Sequence, residues 1–336
     1  MRAVVFDSFG EPVDVLQARN IAEPQPRSGE VRVRMLASPI NPSDLMTIRG
    51  VYGQRPDLPA TPGYEGVGIV EANGGGILGR MFVGKRVAVL NRVGGNWAEK
   101  TVLPANQCVP LPADLPIEQA AMFFVNPVTA YVMTRKVLAV RSGEWLLQSA
   151  AGSSLGQMVI RLAKHTGFKT INIVRRAEQA EELKRLGADA TAVFDGDRDD
   201  PSSLVDQVLH VTRGGGVRYA IDPVGGRTGT AMTRCLRDKG RMLLYGNLST
   251  EPIELSSRDL LTYTASVEGF WLAKWFAAAK LPRRLATVRT VANLMRAGVL
   301  VNDVGRAFSL EEITDAVRHS ETKARGGKAW LKIADA

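Results

Sequence analysis

Cysteine is nearly absent from this chain of 336 residues. There are two, Cys108 and Cys235, too few for a disulfide framework and spaced unlike any thiolate metal site, which suits a reducing compartment. Histidine is almost as scarce: His165, His210 and His319 are the only three, and all fall in predicted helices. The first 120 residues hold none, and their one cysteine stands alone. Catalytic zinc needs three Cys, His or carboxylate ligands beside an open position, and structural zinc needs four grouped thiolates, so zinc hydride chemistry is excluded. No apolar run approaches the roughly 20 residues that cross a bilayer, and the N-terminus enters a strand-like pattern without a basic-then-apolar leader, so a cytoplasmic protein without a membrane segment is expected. The formal charge of +9 attracts polyanions. The basic residues are scattered, and no zinc-finger, basic-zipper or RNA-recognition signature accompanies them, so nucleic-acid binding is set aside as the main role. A phosphorylated ligand or an acidic carrier protein stays in view.

What is present is an ordinary globular composition, 45% hydrophobic and 23% charged, long enough for two domains. Residues 1–120 show short β-type runs, Val31 to Leu36 and Arg86 to Leu90 among them, divided by Gly and Pro. Helical periodicity starts at Ile117. Strands and helices then alternate: Glu144 to Leu147, a glycine turn, Gln157 to Thr166, Lys169 to Val174, Glu178 to Leu186. Right-handed crossovers make a parallel sheet the favoured arrangement. Strand candidates recur at Tyr219 to Ile221 and Arg241 to Tyr245, with helices at Pro201 to Val211 and Thr228 to Leu236. The expected class is α/β: a β-rich domain over 1–120, a doubly wound parallel-sheet domain over 121–265, and a linking segment with a return to the first domain over 266–336.

Between the first of these strands and its helix stands Ser149-Ala150-Ala151-Gly152-Ser153-Ser154-Leu155-Gly156. Small side chains there let backbone approach a pyrophosphate, whose charge the helix N-terminus stabilises. Gly156 fits the third position of the glycine fingerprint, but Ala150 and Ser153 occupy the first two. A tight strand-to-helix turn would use the same residues. About twenty residues on, where NAD enzymes carry an acid for the ribose hydroxyl, this chain has Arg175-Arg176, which suits a 2′-phosphate and favours NADPH over NADH. Without a metal, a reductase needs a group to polarise the acceptor and supply a proton. Tyr52 is the leading candidate, in a polar segment from Asn41 to Gly53 read as a surface loop.

At this point the residues resemble the medium-chain dehydrogenases/reductases, with a GroES-like catalytic domain and a Rossmann cofactor domain. Within them the chain looks most like mitochondrial-type trans-2-enoyl thioester reductases, with quinone oxidoreductases as near cousins. Asn41-Pro42-Ser43-Asp44 with Gly50-Val51-Tyr52, and Thr61-Pro62-Gly63-Tyr64-Glu65-Gly66, are shared in form by both groups. Zinc-dependent members carry Gly-His-Glu where Gly63-Tyr64-Glu65 stands, and a cysteine ligand near Asn41. Val125 to Tyr131, Thr170 to Arg176 and above all Gly269-Phe270-Trp271-Leu272-Ala273-Lys274-Trp275 resemble the enoyl reductases. The resemblance implies Tyr52 and Asn41 as the catalytic set. It implies Asn126 and Thr129 near the nicotinamide, and Ala151, Gly152, Ser153, Ser154, Leu155 and Gly156 on the pyrophosphate. Arg175 and Arg176 would hold the 2′-phosphate, with Val224, Tyr245, Gly246, Phe270, Trp271 and Leu272 completing the cofactor site. One departure is that Arg176 is followed by Ala177, whereas the enoyl reductases have an Arg-Asp-Arg type sequence after the second strand. The expected reaction is NADPH-dependent reduction of a C=C bond conjugated to a carbonyl, most simply a trans-2-enoyl thioester on coenzyme A or an acyl carrier, by a homodimer without bound metal. Quinone or enone reduction is the near alternative, and an NADPH-binding structural or nucleic-acid-binding protein the alternative from another class.

Overall fold

The computed structural model describes residues 1–53, 55–322 and 326–335. The chain divides into two compact units, one of 1–127 with 301–336 and one of 128–300. In the first, Glu30–Pro39 is the central strand. It pairs antiparallel with Glu65–Asn73, Lys100–Pro104 and Lys328–Lys332, within a seven-stranded sheet whose edges are Val304–Phe308 and Cys108–Pro110. Val31, Val33 and Met35 alternate into one core with Val87, Val89 and Leu103, the period of a half-buried strand. A register shift between Met35 and Ala37 follows, and the strand continues buried to Pro39. A second core packs Phe6, Ile40, Ile48 and Trp97 against Phe308, Ile313 and Leu331.

The segment 41–53 corrects the sequence reading, for its first half is a helix, Pro42–Ile48. Asn41 caps it, Pro42 opens it and the Asp44 carboxylate reaches back to the Asn41 N–H at 2.8 Å. These are helix-start signals that read equally well as loop punctuation.

In the second unit six strands run parallel in the order Ala190–Val193, Lys169–Val174, Trp145–Gln148, Val217–Asp222, Leu236–Leu244, Ser266–Gly269. Numbered along the chain this is 3-2-1-4-5-6, the doubly wound dinucleotide-binding order. Lys169–Val174 spans the residues expected of it and is buried from Thr170 on, as a strand covered on both faces must be. Two four-residue strands, Ala190–Val193 and Ser266–Gly269, escape the sequence reading because four residues are too few to display a period. The second, with the helix Leu281–Arg296, keeps 266–300 in the cofactor unit, so the return to the first unit comes at Val301.

Candidate active site

In the cofactor unit the turn after Trp145–Gln148 carries Ala150 at φ +48°, a left-handed position that glycine usually fills. The Ser149 hydroxyl donates to the Asp222 carboxylate, and the Val224 and Gly225 N–H groups donate to the same carboxylate at 2.8 and 3.0 Å. Asp222 is fully buried; burial pushes its carboxyl up while these donors pull it down. It thereby ties the turn to the loop that begins at Pro223. Ser153 caps the helix Ser154–Thr166, its hydroxyl oxygen accepting from the Gly156 N–H at 3.1 Å. The third-position glycine is demanded by packing: a Cβ on Gly156 would stand 2.5 Å from the Ala151 carbonyl oxygen. Gly152 differs, since its Cβ would meet only the Gln179 amide nitrogen at 3.4 Å.

This turn forms one wall of a cavity of about 490 Å³. Ala151, Gly152, Ser153, Arg175 and Val224 line it, joined by residues that no motif marked, among them Gln179, Asp195, Arg227, Thr228 and Ser249. Ser154, Leu155, Gly156, Arg176, Tyr245, Gly246, Phe270, Trp271 and Leu272 are not part of its wall. Arg176 is the exposed N-cap of the helix Ala177–Leu186. Gly246 lies against Pro223, whose oxygen a Cβ would approach to 2.8 Å. Phe270 donates its N–H to Leu244 at 2.7 Å, Leu272 is buried and Trp271 is exposed. Thr129 is buried at the start of this unit.

The cavity fits a phosphorylated dinucleotide. Gly152 presents backbone without a side chain, a capped helix of 13 residues starts at the wall, and an exposed arginine, not a carboxylate, ends the strand Lys169–Val174.

The first unit holds a different set. Asn41, Asp44 and Glu65 are 1% exposed and Lys328 4%. The Lys328 ammonium donates to the Asn41 side-chain oxygen. The Asn41 amide donates to one Glu65 oxygen at 3.0 Å, and the Phe124 and Val125 N–H groups donate to the other at 3.0 and 2.8 Å. Burial pushes the Glu65 carboxyl up, opposed by the Lys328 charge. Asp44 accepts from the backbone of Asn41 and, at 3.0 Å, of Tyr64; burial outweighs those bonds and its pKa is pushed up to about 7. Asn41, sealed and bonded on both amide atoms, positions the helix and is withdrawn from direct contact with a reacting group. Among the sequence motifs nothing marked Lys328, which meets Asn41 across 287 residues.

The helix start fixed by this network leads to Tyr52, half-buried, whose ring centroid lies 5.9 Å from that of Tyr64. The Thr47 hydroxyl donates to the Ser43 carbonyl at 2.9 Å, so its 2.7 Å contact with the Tyr64 hydroxyl has Tyr64 as donor. Asn126 is half-buried, its amide 3.5 Å from Asn302 Oδ1. Among the described residues no three of His, Cys, Asp and Glu group as a metal site would require. The three histidines each occupy the last turn of a helix, a favourable end for positive charge.

Comparison with known proteins gives a consistent frame. Residues 27–113 match the alcohol dehydrogenase GroES-like domain and 154–287 the zinc-binding dehydrogenase family. The mitochondrial enoyl-[acyl-carrier-protein] reductase of Xenopus tropicalis is 34% identical over 328 residues, 96% of this chain and 92% of its own. Among solved structures, a Bacillus thuringiensis protein assigned as an NADPH:quinone reductase superposes with a TM-score of 0.90 at 32% identity, covering 99% of both chains. The Escherichia coli quinone oxidoreductase complexed with NADPH gives 0.85 at 26%, covering 99% of this chain and 100% of its own.

Proposed function

The chain belongs to the medium-chain dehydrogenase/reductase superfamily and is an NADPH-dependent oxidoreductase; from that premise we propose that it reduces the C=C bond of trans-2-enoyl thioesters carried on coenzyme A or an acyl carrier protein. The observation that carries the substrate class is the 34% identity with an enoyl reductase over 96% of this chain. The bound cofactor supplies a hydride. Ala151, Gly152 and Ser153 would hold its pyrophosphate and Arg175 its 2′-phosphate. Tyr52 would hydrogen-bond the thioester carbonyl oxygen as negative charge develops there, or give its proton to the α-carbon. Tyr64, anchored on Thr47, supports the Tyr52 ring, and the Asn41, Glu65 and Lys328 network fixes the helix that precedes it.

Reduction of quinones or enones is a second reading, favoured by the TM-score of 0.90 with the Bacillus thuringiensis protein. NADPH oxidation followed at 340 nm separates them, with crotonyl and decenoyl thioesters beside benzoquinone and NADH as control. Enoyl kcat/KM at least about tenfold above that for quinone, roughly 1.4 kcal/mol of transition-state preference, is expected. A reversed order reassigns the substrate to quinones.

We further propose a homodimer built on the open edge strand Ser266–Gly269, beside which Leu261 and Tyr263 are exposed. A role in fatty acid metabolism follows from the substrate. The cytoplasm is the proposed compartment: both cysteines are buried thiols whose pKa values burial pushes up to about 12. No described helix is long and apolar enough to cross a membrane.

A further inference from the structure

The helix Ile77–Phe82 in the first unit is apolar on its inner and its outer side. It forms the tip of the hairpin that joins the antiparallel strands Glu65–Asn73 and Arg86–Leu90. Its inner side is Phe82, which packs with Val31, Val70 and Leu103, and Gly79, set so close to the sheet that a Cβ would stand 2.3 Å from Asn73 Oδ1. At about 100° per residue, Ile77, Met81 and Leu78 share one arc on the other side. They are 81%, 57% and 42% exposed, and Val83, which follows the helix, is 48% exposed. A helix apolar all round is ordinarily covered all round. The fold covers only one side of this one.

The charge around the tip has one sign. Arg80 borders the exposed arc and Lys85 comes two residues after Val83. Arg27 lies at the base, its backbone oxygen so near Gly74 that a Cβ there would stand 2.1 Å from it. All three cations are exposed, and among the described residues none is paired with an acid. Between Glu71 and Glu99 the chain has no Asp or Glu. Glu71 is engaged by Arg32 and Lys100, Glu99 by the Arg2 N–H, and Glu30 by the Arg27 N–H at 2.8 Å.

We propose that this tip docks on an anionic lipid surface, seating Ile77, Leu78, Met81 and Val83 among the headgroups as a peripheral contact. Apolar side chains at the end of a hairpin, backed by cations, have the chemistry of interfacial insertion, and each cation near a negatively charged leaflet adds to the attraction. A stable protein partner takes about 20–30 residues a side, far more than the tip presents. A second copy set two-fold on it would bring Arg80 and Lys85 against their equals. Single-stranded nucleic acid stacks on open aromatic rings, and the one ring of the tip, Phe82, is buried. The contact goes beyond the reduction and is the same whichever acceptor the enzyme uses.

The test needs no substrate, so its failure is distinct from failure of the reductase reading. Full-length protein is sedimented with sucrose-loaded vesicles of phosphatidylcholine alone and of phosphatidylcholine with phosphatidylglycerol at about 2:1. The native protein should favour the anionic vesicles and release from them as salt rises. A chain of net charge +9 is drawn to anionic lipid from any side, so the apolar positions decide. Ile77→Gln with Met81→Gln should lower partitioning at least about tenfold, with thermal midpoint and NADPH affinity unchanged. Arg80→Gln with Lys85→Gln should lower it at least about fivefold. A dye on Val83→Cys, selective because both native cysteines are buried, should shift to the blue on anionic vesicles and be quenched by brominated acyl chains. Binding that the apolar pair leaves unmoved, a dye that stays in water, or no binding at physiological salt overturns the proposal. So does a lower mass of the apolar pair in sedimentation equilibrium, which would make a second copy the occupant.

Discussion

In the catalytic unit the polar side chains are sealed: Asn41, Asp44, Glu65 and Lys328 are each at most 4% exposed and bond to one another or to backbone. In the cofactor unit the cavity combines a bare turn, a helix start and an exposed arginine with the carboxylates of Asp195, Asp197 and Glu251, which also line it. The first arrangement buys geometry, since a buried ionic network is costly to break and so fixes whatever it holds. The second offers donors to a ligand that brings its own charge. A substitution in the first unit should therefore act on stability before binding, and one in the second on binding before stability.

The largest break in that contrast is Lys328→Met. It leaves Glu65 buried opposite an uncharged side chain and should cost about 3–5 kcal/mol, read by urea unfolding, with Glu65→Gln added to Lys328→Met recovering part of it. A loss under about 1 kcal/mol would show that the network does not hold the unit. Tyr52→Phe should come next. The ring keeps its packing on Tyr64, so stability and NADPH affinity should hold while kcat on an enoyl thioester falls about a hundredfold, the scale of a lost proton donor. An unchanged kcat removes Tyr52 from the chemistry.

Two glycines sharpen the comparison inside one turn. Gly156→Ala places a methyl 2.5 Å from a backbone oxygen that cannot move aside and should destabilise the cofactor unit by about 1–3 kcal/mol. Gly152→Ala meets only the end of the Gln179 side chain at 3.4 Å, so thermal stability should stay and NADPH affinity should fall. Equal destabilisation by the two would mean that Gly152 also serves packing.

The same contrast explains what the sequence could disclose. The strands Arg86–Leu90 and Lys169–Val174 lie where their residue pattern places them, and the fingerprint turn was legible because strand, turn and helix are contiguous. The catalytic network was not, because Asn41 meets Glu65 across 24 residues and Lys328 across 287, and no periodicity encodes such pairings. Helix Pro42–Ile48 was hidden by its own capping residues. Asp195 and Ser249 reach the cavity from separate loops and Arg227 from the first turn of the helix Gly226–Arg234, a convergence that only the sheet order creates.

Asp44 provides a pH probe of the sealed unit. Its folded pKa is about 7 against about 3.9 in an unfolded chain. The folded state therefore binds the proton more tightly, and the associated stability is present below about pH 4 and lost as pH rises through 7. The slope from this one group approaches about −1.4 kcal/mol per pH unit inside that window. Asp44→Asn should remove it, so that unfolding free energies of the native protein and the variant converge or cross between about pH 4 and 7. Parallel pH profiles would mean that Asp44 is ionised at its ordinary pKa.

The smallest effects separate two adjacent arginines. Arg175 lines the cavity and Arg176 starts the next helix outside it, although the sequence offers them as equals. A charge-assisted bond to a phosphate is worth about a tenfold change in affinity or somewhat more, so Arg175→Ala should weaken NADPH about tenfold and leave NADH unchanged. Arg176→Ala should weaken NADPH by less than about threefold, the residue of long-range charge after screening. Fluorescence titration with both nucleotides decides. Equal losses would place both guanidinium groups on the phosphate, and the turn at Val174 would then have to open on binding, because the helix Ala177–Leu186 begins directly after Arg176.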